Sequence, residues 1–425
     1  METQIKVVIG ITIGLWIFDA DAGGFEKSVL WSGRFAGTAG AGTANARGAE
    51  SLYFNPAGLA GSDSSEATVG FSPTLSRLRA PVVLAEEKRQ ADTQFTPMAA
   101  AMAEIPLARN GSLGIGAYVA GGNQSHYSDL AVPGFSHRPE LRGDIAITEL
   151  SIGSGYEVFP GLRIGAAWRI SHVDATFHAP TVNPGVSLLD LHLDGLSDTK
   201  FGGYRLGAQF ETLSRDWGVG VQWRSAVHFE AKGRSSGQLE VPGVLNAPIT
   251  GGDVEADAAL PAQLTIGAFH RFGERGPRVH AQYEWSDYHT DRQIDLKGAI
   301  GLPTGGSQEL SGSPIALGWR NQNVYRVGFE YPTETAVFYR FGYAHSSAVT
   351  PKRNALGVFS PPASAQAFAI GVGTEVSPGW EIDSAFEYEF GSGRVEASDG
   401  PVAPTLAGDY AFWAATLHLG ATHRF

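Results

Sequence analysis

The sequence predicts an all-β fold: a transmembrane antiparallel β-barrel of about 14 strands with an N-terminal plug, or hatch, in its lumen. Three observations carry this prediction. From about residue 66 to the end, apolar residues alternate with polar or small ones at period two, the pattern of strands with one greasy and one polar face. Most alternating segments run 10 to 17 residues. Soluble strands usually hold about five or six, whereas a tilted membrane crossing needs about ten. The connections alternate between tight turns and stretches of about 13 to 30 residues, the habit of barrels with short periplasmic turns and long external loops.

The elements follow in order. Residues 1–22 read as a signal peptide. Lys6 supplies the positive start, residues 7–18 form an uncharged apolar run, and Ala20-Asp21-Ala22 offers a cleavage site before Gly23. That run is too short to cross about 30 Å of hydrocarbon as a helix. Residues 23–65 show no alternation, and 32–51 are nearly all small apart from Arg34, Arg47 and Glu50. Gly40-Ala41-Gly42 lacks the further glycine and the preceding strand of a phosphate loop. Next comes Tyr53-Phe54-Asn55-Pro56-Ala57-Gly58. Asn before Pro favours an extended residue capping a short helical turn, and Gly58 is expected at positive φ to reverse the chain. A compact segment of small residues before a barrel too wide for side chains to fill is read as a plug.

The barrel domain is assigned to residues 66–425. Its expected strands are 66–80, 95–107, 112–127, 141–158, 161–178, 200–213, 217–231, 261–272, 277–291, 322–331, 335–346, 365–376, 379–391 and 409–425. Trp380, Ile382, Phe386, Tyr388 and Phe390 oppose Glu381, Asp383, Glu387 and Glu389; Tyr325, Val327, Phe329 and Tyr331 oppose Arg326, Gly328 and Glu330. In a membrane barrel the apolar set meets lipid and the polar set lines the lumen. An even strand count leaves both barrel ends in the periplasm. The last strand carries Trp413, Leu417, Leu419 and Phe425 in phase on one face, which resembles the terminal signal read by the barrel-assembly machinery.

Composition narrows the function. A net charge of −12 argues against a nucleic-acid partner, which needs clustered Lys and Arg. With no cysteine, disulfides and thiolate metal sites are excluded. No motif calls for a cofactor or a metal, and none marks a catalytic site.

Several motifs together resemble the FadL-type family of outer-membrane transporters for long-chain fatty acids and aromatic hydrocarbons. They are Tyr53-Phe54-Asn55-Pro56-Ala57, LGIGAYVAGGNQSHY at 113–127, Leu260-Pro261, and Trp285-Ser286-Asp287-Tyr288. Trp319-Arg320-Asn321, RVGFEY at 326–331 and RFGY at 340–343 continue the match. The resemblance implies a fourteen-stranded barrel, a hatch carrying Phe54, Asn55, Pro56 and Ala57, and a gap in the wall at a kink in the third strand. Gly121 and Gly122 match that kink, and paired glycines suit a bulge.

The implied activity is diffusion-driven uptake of hydrophobic compounds in the outer membrane of a Gram-negative-type bacterium, with sideways exit into the bilayer. The expected partners are a hydrophobic small molecule, membrane lipid, lipopolysaccharide and the assembly machinery. Leu188, Leu189 and Leu191, with Val186, Leu193 and the 241–249 stretch, are candidates for capture in the outer loops. Lumen-facing Arg169, Arg224, Arg326 and Arg340 are candidates for a ligand carboxylate or, more simply, for pairing with Glu330, Glu387 and Glu389. A polar-solute porin and a lipid hydrolase using Ser171-His172 or Ser286 with His289 are the rival readings.

Overall fold

The computed structural model describes residues 31–82, 89–108, 110–183, 187–290, 292–303, 305–311, 314–402 and 405–425. The expected signal peptide, Arg109 and Val186 lie outside the described residues. Fourteen strands form the barrel. They are β1 (Glu66–Ala80), β2 (Gln94–Ala108), β3 (Gly111–Tyr127), β4 (Leu141–Phe159), β5 (Leu162–Asn183) and β6 (Ser187–Glu211). Then come β7 (Trp217–Arg224 and Val227–Val241), β8 (Asp253–Leu260 and Gln263–Arg271) and β9 (Arg278–Ser286 and Gln293–Gly301). The last five are β10 (Gln322–Pro332), β11 (Val337–Ser346), β12 (Ser364–Ser377), β13 (Trp380–Val395) and β14 (Gly408–Arg424). Neighbours pair antiparallel, and β14 closes on β1 from Glu66↔Arg424 to Arg79↔Ala411. Closure removes both sheet edges, the condition for spanning hydrocarbon with strands.

The alternation marks inside and outside as expected. Ile370, Val327 and Leu417 on the outer face are exposed, while Asp383, Glu330, Arg326 and His418 are buried inward. Exposed Phe159, Trp217, Phe272, Tyr331, Tyr339 and Trp380 lie beside the short turns; Trp380 stacks on His423 at a centroid distance of 4.3 Å, and Phe425 meets His423 edge-on at 4.4 Å. A second exposed set, including Phe95, Tyr325 and Phe368, lies nearer the long connections. Two such belts are the aromatic girdles of an outer-membrane barrel.

The structure departs from the expected spans on the outer side. The expected loop at 179–199 is mostly strand: β5 runs to Asn183 and β6 starts at Ser187, and the two stay paired as far as Asn183↔Ser187. Strands β7, β8 and β9 also continue, beyond breaks at 225–226, at 261–262 and after Ser286. Pro261, which cannot donate to a ladder, marks one of these breaks. Above them, Val227–Val241 pairs with Asp253–Leu260, and the latter with Gln293–Gly301. These segments form an outer sheet standing on the membrane cylinder.

Candidate functional site: the hatch, the pocket above it and the wall beside it

Residues 31–60 fill the lumen as short helical turns, Gly33–Ala36, Ser51–Phe54 and Pro56–Leu59. Asn55 is completely buried. Its backbone is extended at φ −174°, and its Oδ1 accepts from Ala57 N, capping the turn that Pro56 opens. Its Nδ2 donates to Thr43 O within the hatch at 2.8 Å and reaches two wall carbonyls, Ala208 O at 3.1 Å and Val221 O at 3.3 Å. One side chain thus caps the turn and ties the hatch to β6 and β7. Gly58 is not at positive φ; Gly61 is, at 77°. A Cβ on residue 58 would lie 2.1 Å from Ala46 O, so the glycine permits two hatch segments to touch.

The hatch docks because the wall lacks side chains beneath it. A Cβ at Gly207 would sit 2.0 Å from Asn55 Oδ1, at Gly165 2.3 Å from Pro56 C, and at Gly220 2.3 Å from Thr43 O. Gly155, Gly165 and Gly207 are register partners on three successive strands. Sequence reasoning missed this track, although the inward glycines of LGIG, IGSG and GVGV alternate at period two.

Phe54 joins an aromatic cluster: its ring lies 4.2 Å from Phe35 and 5.1 Å from Tyr53, and Tyr53 lies 5.2 Å from Tyr118 of β3. A charged network holds the cluster from behind. Arg205 donates to Leu52 O at 3.1 Å and Tyr118 OH at 3.0 Å, with its guanidinium 4.8 Å from the Tyr53 ring centroid. Glu149 takes the Tyr118 hydroxyl and pairs with Arg169 at 2.7 Å. The arginines expected in the lumen are there. Arg340 pairs with Glu330 and Asp383, Arg326 with Glu284, and Arg224 donates to Pro261 O. Glu330 is thus a partner as expected, while Glu149, Glu284 and Asp383 are added to the set.

Immediately after Tyr118 the wall changes. β2 and β3 pair from Ala108↔Gly111 to Ala100↔Tyr118 and then separate. β2 continues beside β1 as far as Gln94, and β3 beside β4 as far as Tyr127. A register shift between Val119 and Gly121 marks a bulge, and Gly122 adopts φ 159°. Val119, Ala120, Gly121 and Gly122 are all buried, so alternation is lost there. Between 94–99 and 119–125 no ladder pair joins the two strands among the described residues. Contact resumes through Thr96 with Gln124 at 3.4 Å and Asp92 N with His126 O at 2.7 Å.

Beside this bulge lies an apolar pocket of about 40 Å³, on the outer side of the hatch. Ile145 and Ile147, register partners of Asn123 and Gly121, form one edge; Val173, Phe177, Phe229 and Ile294 are among the other walls. At this volume it holds little more than a water or two, against several hundred Å³ for a typical ligand site. Admission of a ligand therefore requires the walls to part.

Leu188, Leu189 and Leu191 sit in the β5–β6 hairpin. Leu188 is buried and lies under Gly134 of the β3–β4 connection, while Leu189 and Leu191 pack against the interior cluster. In the 241–249 stretch Ile249 is buried and Val244 is exposed. Ser171 is buried facing inward while His172 bonds Thr199 and Asp174. Ser286 accepts from Gln263, and His289 meets Arg292. Neither Ser–His pair forms a nucleophile–base hydrogen bond.

The fold agrees with solved transport barrels. A Pseudomonas aeruginosa FadL homologue matches with TM-score 0.78 at 16% identity, covering 95% of this chain and 100% of that one. The Pseudomonas putida toluene transporter TodX gives 0.73 at 15%, covering 92% and 97%. The CymD monoaromatic hydrocarbon channel gives 0.72 at 16%, covering 94% and 99%. These identities show a shared fold. A search of curated proteins finds no match. The family profile described as outer membrane protein transport protein (OMPP1/FadL/TodX) matches residues 18–425. With its closed barrel, its filled lumen and that match over nearly the whole chain, the protein belongs to the OMPP1/FadL/TodX family of outer-membrane transport proteins.

Proposed function

We propose that this barrel takes up hydrophobic compounds, long-chain fatty acids or aromatic hydrocarbons, by diffusion through the apolar pocket and out sideways between β2 and β3. The observation that carries this reading is the loss of β2–β3 pairing beyond Tyr118, beside a pocket with apolar walls and above a lumen filled by the hatch. A polar solute gains nothing from such a path, whereas an alkyl chain gains roughly 0.8 kcal/mol for each methylene it keeps out of water. Leu188, Leu189 and Leu191 then support the pocket roof, with Val244 the exposed apolar residue at the rim. Phe54, Asn55, Pro56 and Ala57 set the hatch against Tyr118, and Gly121 and Gly122 shape the opening. Binding in the pocket biases the hatch only if the ligand holds its two positions with different affinity, and the Arg205 link from Leu52 to Tyr118 joins hatch and bulge.

The role is transport rather than catalysis, and lipopolysaccharide and the assembly machinery are its expected neighbours in the membrane. Proteoliposomes carrying the purified protein test the reading with a fluorescent long-chain fatty acid, toluene and sucrose. At least one apolar probe should cross faster than in protein-free vesicles and sucrose should not. Sucrose flux without apolar flux would restore the polar porin.

A further inference from the structure

Outside the membrane cylinder the structure gathers histidines and carboxylates that the transport route does not use. His178 on β5 and His192 on β6 are register partners. Their rings stack with centroids 3.9 Å apart and planes 14° apart. Asp194 Oδ1 lies 2.8 Å from His178 Nε2. One donor atom from each of the three residues fits within 4.8 Å of the others. His192 Nε2 is buried with no hydrogen-bond partner of good geometry, although Asp190 Oδ1 is 3.3 Å away. On the far side of His178, Nδ1 meets Glu140 from the β3–β4 connection.

We infer that His178, His192 and Asp194 form a binding site for a divalent transition-metal cation of the zinc type, with Glu140 orienting His178 from behind. Four features support the assignment. Imidazole nitrogens with a carboxylate oxygen are the donor set such ions prefer over magnesium or calcium, which take oxygen ligands. A carboxylate on Nδ1 is the usual second partner of a metal-bound histidine, leaving Nε2 to ligate once the ion enters its contact with Asp194. His192 Nε2, which has only the Asp190 contact at 3.3 Å, gains a partner of good geometry. Three carboxylates, Glu140, Asp190 and Asp194, also face two imidazoles that are uncharged when ligating, with His126 on Glu140 and His137 on Asp190 as their other partners.

Zinc–nitrogen and zinc–oxygen bonds of about 2.1 Å set ligand atoms about 3.4 Å apart in a tetrahedron. The His178–Asp194 contact must widen slightly and the stacked rings must splay. Because His178 and His192 stand on opposite strands of the protruding hairpin, the ion staples that hairpin; through Glu140 it also fixes the connection that covers Leu188.

The test uses the full chain, without an affinity tag that itself binds metal. The absence of cysteine removes thiolate competition. Titration calorimetry with Zn²⁺ should give one site per chain, and Co²⁺ should develop the visible bands of a low-coordinate nitrogen–oxygen site. His192→Ala should weaken Zn²⁺ binding at least 30-fold and Asp194→Asn about 10-fold. Glu140→Gln should weaken it about 10-fold, as outer partners do, while leaving the cobalt bands in place. His192 and Asp194 are not fully buried, so folding of those variants is checked by unchanged heat-modifiable gel mobility. Zn²⁺ affinity that is equal in wild type and the His192→Ala/Asp194→Asn double variant would overturn the assignment. So would binding of Mg²⁺ or Ca²⁺ as tight as that of Zn²⁺.

Discussion

Replacing Asn55 separates the two jobs its side chain performs. Asn55→Ala removes the cap on Ala57 N and the donors to Thr43 O, Ala208 O and Val221 O. A typical hydrogen bond contributes about 1 kcal/mol net, and a buried group left without one costs about 1–3 kcal/mol. Counting the cap and the two protons of Nδ2 gives roughly 3 kcal/mol lost from hatch docking, a rise of about 100-fold in the undocked population. Asn55→Asp keeps an acceptor for Ala57 N but turns a carboxylate oxygen toward three carbonyls. If the wall contacts matter, Asp must be as damaging as Ala. If the cap alone matters, Asp restores docking. Hydrogen exchange read at Ala57 and Gly58 should quicken about 100-fold in both variants, while amides of β10–β14 stay protected. Wild-type exchange in the Asp variant would refute the claim that Asn55 ties hatch to wall.

Other outcomes follow from the same geometry. Gly207→Ala places a methyl 2.0 Å from Asn55 Oδ1; the hatch is displaced, and planar-bilayer recordings should show raised conductance with the heat-modifiable barrel intact. Arg205→Met removes the bonds to Leu52 O and Tyr118 OH while Glu149 keeps Arg169; a hydrogen bond from a charged donor contributes about 1.5–3 kcal/mol, and hatch exchange at Leu52 to Phe54 should rise without loss of barrel assembly. In the outer loops, the hydrogen bond to Asp190 holds the His137 imidazolium above its ordinary value, opposed by burial and helped by Glu240. Because that value is raised, the clamp is complete below about pH 6.5 and is lost as pH climbs through the raised one. The Ser136 amide, bonded to Glu240 at 2.8 Å, should be better protected at pH 6 than at pH 8 after correction for intrinsic rates; equal protection would contradict the clamp.

The barrel was legible because lipid and lumen impose opposite demands on successive residues, and runs such as Trp380 to Phe390 obey both. The Asn55-Pro56 turn was legible from local chemistry, but its wall contacts were not, since Ala208 and Val221 take part only through carbonyls. Gly121 and Gly122 announced a bulge, and the family resemblance alone implied a gap there; that it parts β3 from β2 became visible only with the register. The outer hairpin escaped notice because residues 187–199 alternate imperfectly, with Leu188 and Leu193 buried and Asp194 and Gly195 exposed. The histidine cluster escaped for another reason: Glu140, His178 and His192 are distant in sequence and meet only when β5 and β6 pair.

The sideways path is tested most directly by closing it. Thr96 on β2 and Gln124 on β3 meet across the gap at 3.4 Å, and the chain has no native cysteine to compete. In a Thr96→Cys/Gln124→Cys variant reconstituted in liposomes, joining the two thiols with a short bis-thiosulfonate cross-linker should abolish uptake of the apolar probe that the wild type carries, and reduction should restore it. Unchanged uptake by the fully cross-linked protein would mean that the cargo does not leave between β2 and β3.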